Sequence, residues 1–189
     1  MFLKLYGGVT VKIRIFTRRF PYAFYYVSAS TFTIPANVTV INSNVFENCS
    51  GLETVTFPEG LTTIYSYAFN NCTSITELEI PDSVTGMSAR AFNNCTSLSS
   101  VKLPSGWTYV YDYYYNSTTD YYDSSSYYKT PFTGCTSLKE VEVPDGMKVL
   151  PKHAFREMTS LETVVLPESM EAIGVYAFDG CINLVTVSM

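Results

Sequence analysis

The spacing of the prolines constrains what this chain can fold into more than any other feature of its sequence. Pro35, Pro58, Pro81, Pro104, Pro144 and Pro167 are separated by 23, 23, 23, 40 and 23 residues. Phenylalanines keep step with them at Phe46, Phe69, Phe92, Phe132, Phe155 and Phe178. Self-similarity at a fixed period of this length indicates a repeat architecture. The sequence therefore predicts six copies of a 23-residue unit, with 17 extra residues in the fourth copy.

The pattern inside one unit predicts its local structure. The unit that begins at Pro58 reads PEGLTTIYSYAFNNCTSITELEI. Alternation at 78–80 predicts a short strand, residues 61–64 predict a second extended piece, and residues 68–72 predict a single helical turn. Because so short a unit cannot bury its own apolar side chains, it must stack on its neighbours. We expect an α/β repeat solenoid, a right-handed coil with short parallel strands around one continuous core.

Two of the copies carry the runs AFNNCTSITELEIPDSVT and AFNNCTSLSSVKLP. In these runs the chain closely resembles the BspA-like leucine-rich repeats, also called the Treponema-type or LRR_5 class, and the resemblance covers about residues 23–189. It implies a curved solenoid that is used for binding, commonly on microbial surfaces and in adhesion, and it does not imply an enzyme. It also implies a location at the cell surface or outside the cell, although no signal peptide is found at the N-terminus.

The two ends of the chain differ from the repeats. Alternating apolar residues at 2–6 and 9–15, on either side of Gly7-Gly8, predict a β-hairpin, and the following residues to 34 read as a degenerate half repeat. We therefore expect an N-terminal cap over residues 1–34 and a six-repeat solenoid over residues 35–189. Met189 falls on a repeat boundary, so the last coil is expected to be uncapped, as in a truncated fragment or an end that another chain covers.

The insertion lies within residues 105–131 and is rich in tyrosine. Turn-forming residues at 116–120 predict a protruding hairpin or an ordered loop. Tyrosine supplies a large contact area with few rotatable bonds and a hydroxyl group for hydrogen bonds. The predicted contacts to a protein or glycan ligand are Trp107, Tyr109, Tyr111, Tyr113, Tyr114, Tyr115, Tyr121 and Tyr122. Packing of the insertion on its own solenoid, or contact within an assembly, are the alternatives.

A second candidate surface consists of the strand side chains that alternate with the core. In the central copies these are Glu77, Glu79, Lys102, Glu140 and Glu142. In a solenoid such side chains form one continuous face, because equivalent positions stack from coil to coil. This face is mixed and mildly acidic, and we predict that it contacts a ligand together with the insertion.

Charge and composition exclude several classes of function. The chain has 189 residues, 47% of them hydrophobic, which indicates one folded domain. Its net charge of −5 argues against a nucleic-acid binder. Its apolar runs are too short for a transmembrane segment. Residues 1–46 hold five basic and no acidic residues. These charges either protect the edge of the cap or dock an acidic partner.

The cysteines and the single histidine give no support for catalysis, a metal or a cofactor. Cys49, Cys72, Cys95, Cys135 and Cys181 occupy one column of the repeat, which Met158 fills in the fifth copy. We predict buried free thiols there, with disulfide or redox use as the alternative. His153 stands where other copies have Tyr67, Arg90 and Tyr176, and is predicted to be exposed. The sequon residues Asn48, Asn71 and Asn94 are predicted to bond neighbouring backbone.

Taken together, these features predict a non-enzymatic binding or adhesion module that recognises a protein or glycan through the solenoid face and the insertion. The alternative is a structural subunit of a larger assembly, such as a virion or a surface appendage. Its contacts would then be the basic cap and the uncapped C-terminal coil.

Overall fold

The computed structural model describes residues 2–4, 10–12, 24, 29–111 and 129–188. All regular structure in these ranges is short strand. The strands are β1 (Phe2–Lys4), β2 (Thr10–Lys12), β3 (Thr31–Thr33), β4 (Val40–Ile41), β5 (Thr54–Thr56), β6 (Thr63–Ile64), β7 (Glu77–Glu79), β8 (Gly86–Ser88), β9 (Ser100–Lys102), β10 (Tyr109–Tyr111), β11 (Glu140–Glu142), β12 (Val149–Leu150), β13 (Thr163–Val165), β14 (Ala172–Ile173) and β15 (Thr186–Ser188).

The strands from β3 onward alternate between two series of parallel strands, so each coil of the solenoid supplies one strand to each series. In the first series β3 pairs with β5, β7 with β9, and β13 with both β11 and β15. In the second series β4, β6, β8 and β10 lie side by side in that order, and β12 pairs with β14. Every parallel pair joins residues that are 23 positions apart, as Thr31 opposite Thr54 shows. The prediction of stacked 23-residue coils with short parallel strands is therefore confirmed.

The core is built as columns of equivalent side chains, and the phenylalanine column shows this best. Its rings stack nearly parallel, with centroids 5.3 Å apart for Phe69 and Phe92 and 5.6 Å apart for Phe92 and Phe132. The four rings from Phe69 to Phe155 are fully buried. The second of these contacts joins rings on either side of the insertion, so the phenylalanine column keeps its register across it.

The predicted helical turn is wrong, because the described residues contain no helix. The segment around Phe69 forms successive tight turns in which Tyr67 and Asn71 have positive φ values of 58°. Alternate amide groups point to the next coil, where Tyr67 N donates to Arg90 O and Phe69 N to Ala91 O. A helix would direct these groups along its own axis, so bonding between coils replaces it. The class is a parallel β-solenoid rather than α/β.

The N-terminal strands agree in part with the predicted cap. β1 and β2 pair antiparallel with Phe2 opposite Lys12, but the residues that join them lie outside the described ranges. Phe24, from the degenerate half repeat, is buried and stacks on Phe46 at 5.1 Å. The role of residues 1–34 as a cap remains a prediction.

The last described coil is the most open part of the core. Ile173 is 49% exposed and Val187 is 51% exposed, whereas the equivalent Leu150 and Val164 of the preceding coil are fully buried. The two alternatives for this end, truncation or a cover from another chain, remain predictions.

Candidate functional site

The first candidate site is the strand face, which we define as the outward side chains of β3, β5, β7, β9, β11, β13 and β15. Each of these strands except β15 buries its middle residue and turns its first and third residues outward, and in β15 all three residues are exposed. The first row of the face is Thr31, Thr54, Glu77, Ser100, Glu140, Thr163 and Thr186; the second row is Thr33, Thr56, Glu79, Lys102, Glu142, Val165 and Ser188. The structure thus brings the predicted strand-face residues together on one surface.

Two shallow depressions meet at the centre of this face. One, of about 640 Å³, lies over β5, β7 and β9, and the other, of about 600 Å³, lies over β9 and β11. Ser100 and Lys102 line both of them. Among the described lining residues Lys102 is the one cation, and the acidic residues are Glu59, Glu77, Glu79, Asp82, Glu140, Glu142 and Asp145. The depressions therefore carry a strong negative potential over a surface otherwise rich in hydroxyl groups.

Two contacts organise the charges in the depressions. Lys102 Nζ lies 2.6 Å from Glu79 Oε1, and this hydrogen bond raises the pKa of the lysine. The amide N–H of Ser105 donates to Asp82 Oδ1 at 2.8 Å and lowers the pKa of that carboxyl group. Both groups are therefore charged at neutral pH, and both are held by residues of the adjacent coil.

The second candidate site, the tyrosine-rich insertion, is described only at its edges. Tyr109 is half-buried in β10, and Tyr111 ends that strand. The predicted contacts Tyr113, Tyr114, Tyr115, Tyr121 and Tyr122 lie outside the described ranges.

Trp107 was predicted as a contact residue, and the structure corrects this. Its side chain is 1% exposed, meets the ring of Phe155 edge-on at 6.2 Å, and donates from Nε1 to Tyr109 O. It stands three residues after Pro104, where Leu61 stands after Pro58, and that column is buried. The position of Trp107 within the repeat, aligned with the buried Leu61, therefore indicates from sequence that it belongs to the core.

The five cysteines are free thiols in the predicted column, and four of them are buried. Each sulfur donates to the carbonyl of the phenylalanine one coil earlier, as Cys72 Sγ does to Phe46 O at 3.1 Å. Burial raises the pKa of Cys72 far above its ordinary value. Because the thiolate is the reactive form, Cys72 is a poor nucleophile in the folded chain, and the shared hydrogen bonds to the preceding coil indicate a structural role for the column.

Two other predictions about polar residues are wrong. His153 is buried rather than exposed, because its ring stacks on Tyr176 at 5.5 Å. The sequon asparagines bond one another rather than backbone: Asn71 Nδ2 donates to Asn48 Oδ1 at 2.7 Å, and Asn94 Nδ2 donates to Asn71 Oδ1 at 3.1 Å. Recurrence of asparagine in one column was the sequence signal for this ladder.

The described residues form neither a metal-ligand cluster nor a membrane-spanning helix. Within residues 2–4, 10–12, 24, 29–111 and 129–188, no three histidine, cysteine or acidic side chains are grouped as metal ligands. The same part of the chain holds no helix of the length and apolarity that a membrane span requires.

Comparison with known proteins agrees with the repeat and the fold. The BspA type leucine rich repeat region matches residues 20–125 and 125–189 in six copies. A leucine-rich repeat protein from Treponema pallidum is 26% identical with a TM-score of 0.63, over 87% of this chain and 70% of that one. A leucine rich cell surface protein from Faecalibacterium prausnitzii is 24% identical with a TM-score of 0.52, over 88% of this chain and 49% of that one. Comparison with curated proteins gives no match. The chain therefore belongs to the BspA-type leucine-rich repeat family.

Proposed function

We propose that this chain is a non-enzymatic module that binds protein, of the adhesion type, and that the strand face is its binding surface. The observation that carries the proposal is the arrangement of that face. Its exposed side chains form two continuous rows over a buried core, and two depressions adjoin at its centre. A rigid surface of this kind loses little conformational entropy when a partner binds.

The residue types on the face support binding rather than catalysis. Hydroxyl and carboxylate groups supply hydrogen-bond donors and acceptors, while the described cysteines lie in the core column and not on the face. The chemistry that a nucleophile or metal would need is therefore not assembled on the described part of this surface.

Family membership supports the same function and a location at the cell surface. Proteins of this repeat family are typically non-enzymatic, and the F. prausnitzii relative is described as a cell surface protein. A surface or extracellular location would place the strand face in contact with proteins outside the cell. The tyrosine-rich insertion is proposed as an additional contact to protein or glycan.

The experiment compares two matched variants on an array of extracellular proteins and glycans. Thr54→Lys with Thr56→Lys adds two long side chains to one depression. The control, Thr62→Lys with Thr85→Lys, adds two lysines at exposed positions immediately before β6 and β8, outside both depressions. We expect the first variant to lose protein partners that the second retains. Unchanged binding by both variants would refute the strand face as the site.

Deletion of residues 112–127 tests the insertion in the same assay. A loss of binding that is confined to the glycans on the array would indicate that the insertion binds sugars.

A further inference from the structure

The first row of the strand face contains an unusual local sequence of charges. Ser100 stands opposite Glu77 in the paired strands β7 and β9, and Glu140 lies on the other side in β11, which contacts β9. All three side chains are exposed. Two carboxylates thus flank one small side chain across two strand spacings, about 10 Å. We call Glu77, Ser100 and Glu140 the Ser100 notch.

In the second row of the strand face, the position between two glutamates is occupied by a lysine. There Lys102 occupies the position that Ser100 occupies in the first row, and its Nζ lies 2.6 Å from Glu79 Oε1. Lysines elsewhere pair with acids one coil away in the same way: Lys139 with Glu162 and Lys148 with Glu171, each at 2.7 Å. Pairing between adjacent coils is therefore the ordinary arrangement for exposed charges in this solenoid.

The Ser100 notch departs from that arrangement. Within the part of the chain that the structure describes, no cation pairs with Glu77 or Glu140. The described residues that line the two depressions at Ser100 include seven acidic residues and Lys102, which gives them a net charge of −6. Uncompensated like charges on one face destabilise a sheet slightly, and a cation from outside would relieve the repulsion while it gained two charged acceptors.

We infer that the Ser100 notch receives a lysine or arginine side chain from an extended segment of a protein partner, an inference that rests on the proposed function of the strand face. The incoming cation lies over Ser100 and donates hydrogen bonds to the carboxylates of Glu77 and Glu140. Its role in the first row is the same as that of Lys102 Nζ, which donates to Glu79 in the second row. An extended segment presents every second side chain to one surface, so its next side chain can lie over a neighbouring strand of the face.

The test uses a fluorescein-labelled peptide of alternating lysine and serine, with the same peptide acetylated on every lysine as its uncharged counterpart. Binding is measured by fluorescence anisotropy in about 50 mM salt, where surface charges are only partly screened. The notch variant is Glu77→Gln with Glu140→Gln. Its matched control, Glu53→Gln with Glu168→Gln, removes the same charge from exposed residues that line neither depression. Ser100→Lys, which fills the notch from within, serves as a second variant.

We expect the lysine peptide to bind the unmodified protein and the acetylated peptide not to bind. The notch variant and Ser100→Lys should each weaken binding about tenfold or more, because charge-assisted hydrogen bonds are lost. The control should change it by less than about twofold at this ionic strength. Equal weakening by the notch and control variants, equal binding of both peptides, or no binding to the unmodified protein would overturn the inference. The proposed function of the strand face is tested separately by Thr54→Lys with Thr56→Lys on the protein array, because that assay does not require a cationic ligand.

Discussion

Phe92→Ala removes one ring from the middle of the stacked phenylalanine column. Phe92 is fully buried and lies between Phe69 and Phe132, whose centroids are 5.3 and 5.6 Å away. Truncation of a buried phenylalanine costs about 3–5 kcal/mol, of which the two ring contacts account for about 0.5–1.5 kcal/mol each. Phe178 is only partly buried and has Phe155 as its stacked neighbour at 5.8 Å. Phe178→Ala should therefore cost less, about 1–2 kcal/mol.

Urea denaturation followed by far-ultraviolet circular dichroism measures the difference. With a slope of about 1–3 kcal/mol per molar urea, Phe92→Ala should lower the midpoint of the main transition by about 2 M and Phe178→Ala by well under half as much. Because a loss near 4 kcal/mol is a large part of a typical stability of about 5–15 kcal/mol, Phe92→Leu provides a milder second variant. Equal midpoint shifts for the interior and terminal rings would refute the reasoning that each coil is stabilised by the two coils it touches.

Three further outcomes are expected. Asn71→Ala should lower the free energy of unfolding by about 1–2 kcal/mol more than Asn71→Gly, measured in the same urea assay, because Asn71 has a φ of 58° and only glycine adopts that region without strain. Mass spectrometry after brief alkylation at pH 8 should find Cys181 modified first and the four buried thiols unmodified until unfolding; Cys181 should react more slowly than a free thiol, because burial raises its pKa. Asp82 has a lowered pKa in the folded state, so its stabilising effect is present above the unfolded value of 3.8 and is lost as the pH falls through the folded pKa. Asp82→Asn should therefore lower stability at pH 7 and leave it unchanged near pH 2, and a loss that persisted at pH 2 would contradict this.

Features that follow from equivalence between copies could be predicted from the sequence. A period of 23 places Phe69 over Phe92 and Leu78 over Val101, and both pairs are buried as expected. The strand positions followed from alternation, because a strand with one buried face reads as alternating apolar and polar residues. The strand-face residues followed from the same alternation, so the candidate surface could also be located.

Features that depend on bonds between coils could not be predicted in this way. Tyr67, Arg90 and His153 adopt positive φ values near 60°, which their side chains disfavour, so residue preferences pointed to a helical turn. The amides of these residues bond the adjacent coil instead, as His153 N does to Val175 O. Trp107 was misplaced for another reason, because the tyrosine-rich composition around it was given more weight than its column in the repeat.

The strand face varies from coil to coil while the core beneath it does not. Along five successive strands the outward pairs change from Thr54 and Thr56 to two glutamates, then Ser100 and Lys102, then two glutamates again, then Thr163 and Val165. The buried residues between them stay aliphatic throughout: Val55, Leu78, Val101, Val141 and Val164. Selection for stability alone would favour acid–base pairs between adjacent coils, as between Lys139 and Glu162. The first row does not follow that rule at Glu77 and Glu140. Folding stability alone therefore does not account for these two glutamates, whereas the proposed contact with a cationic partner would account for them.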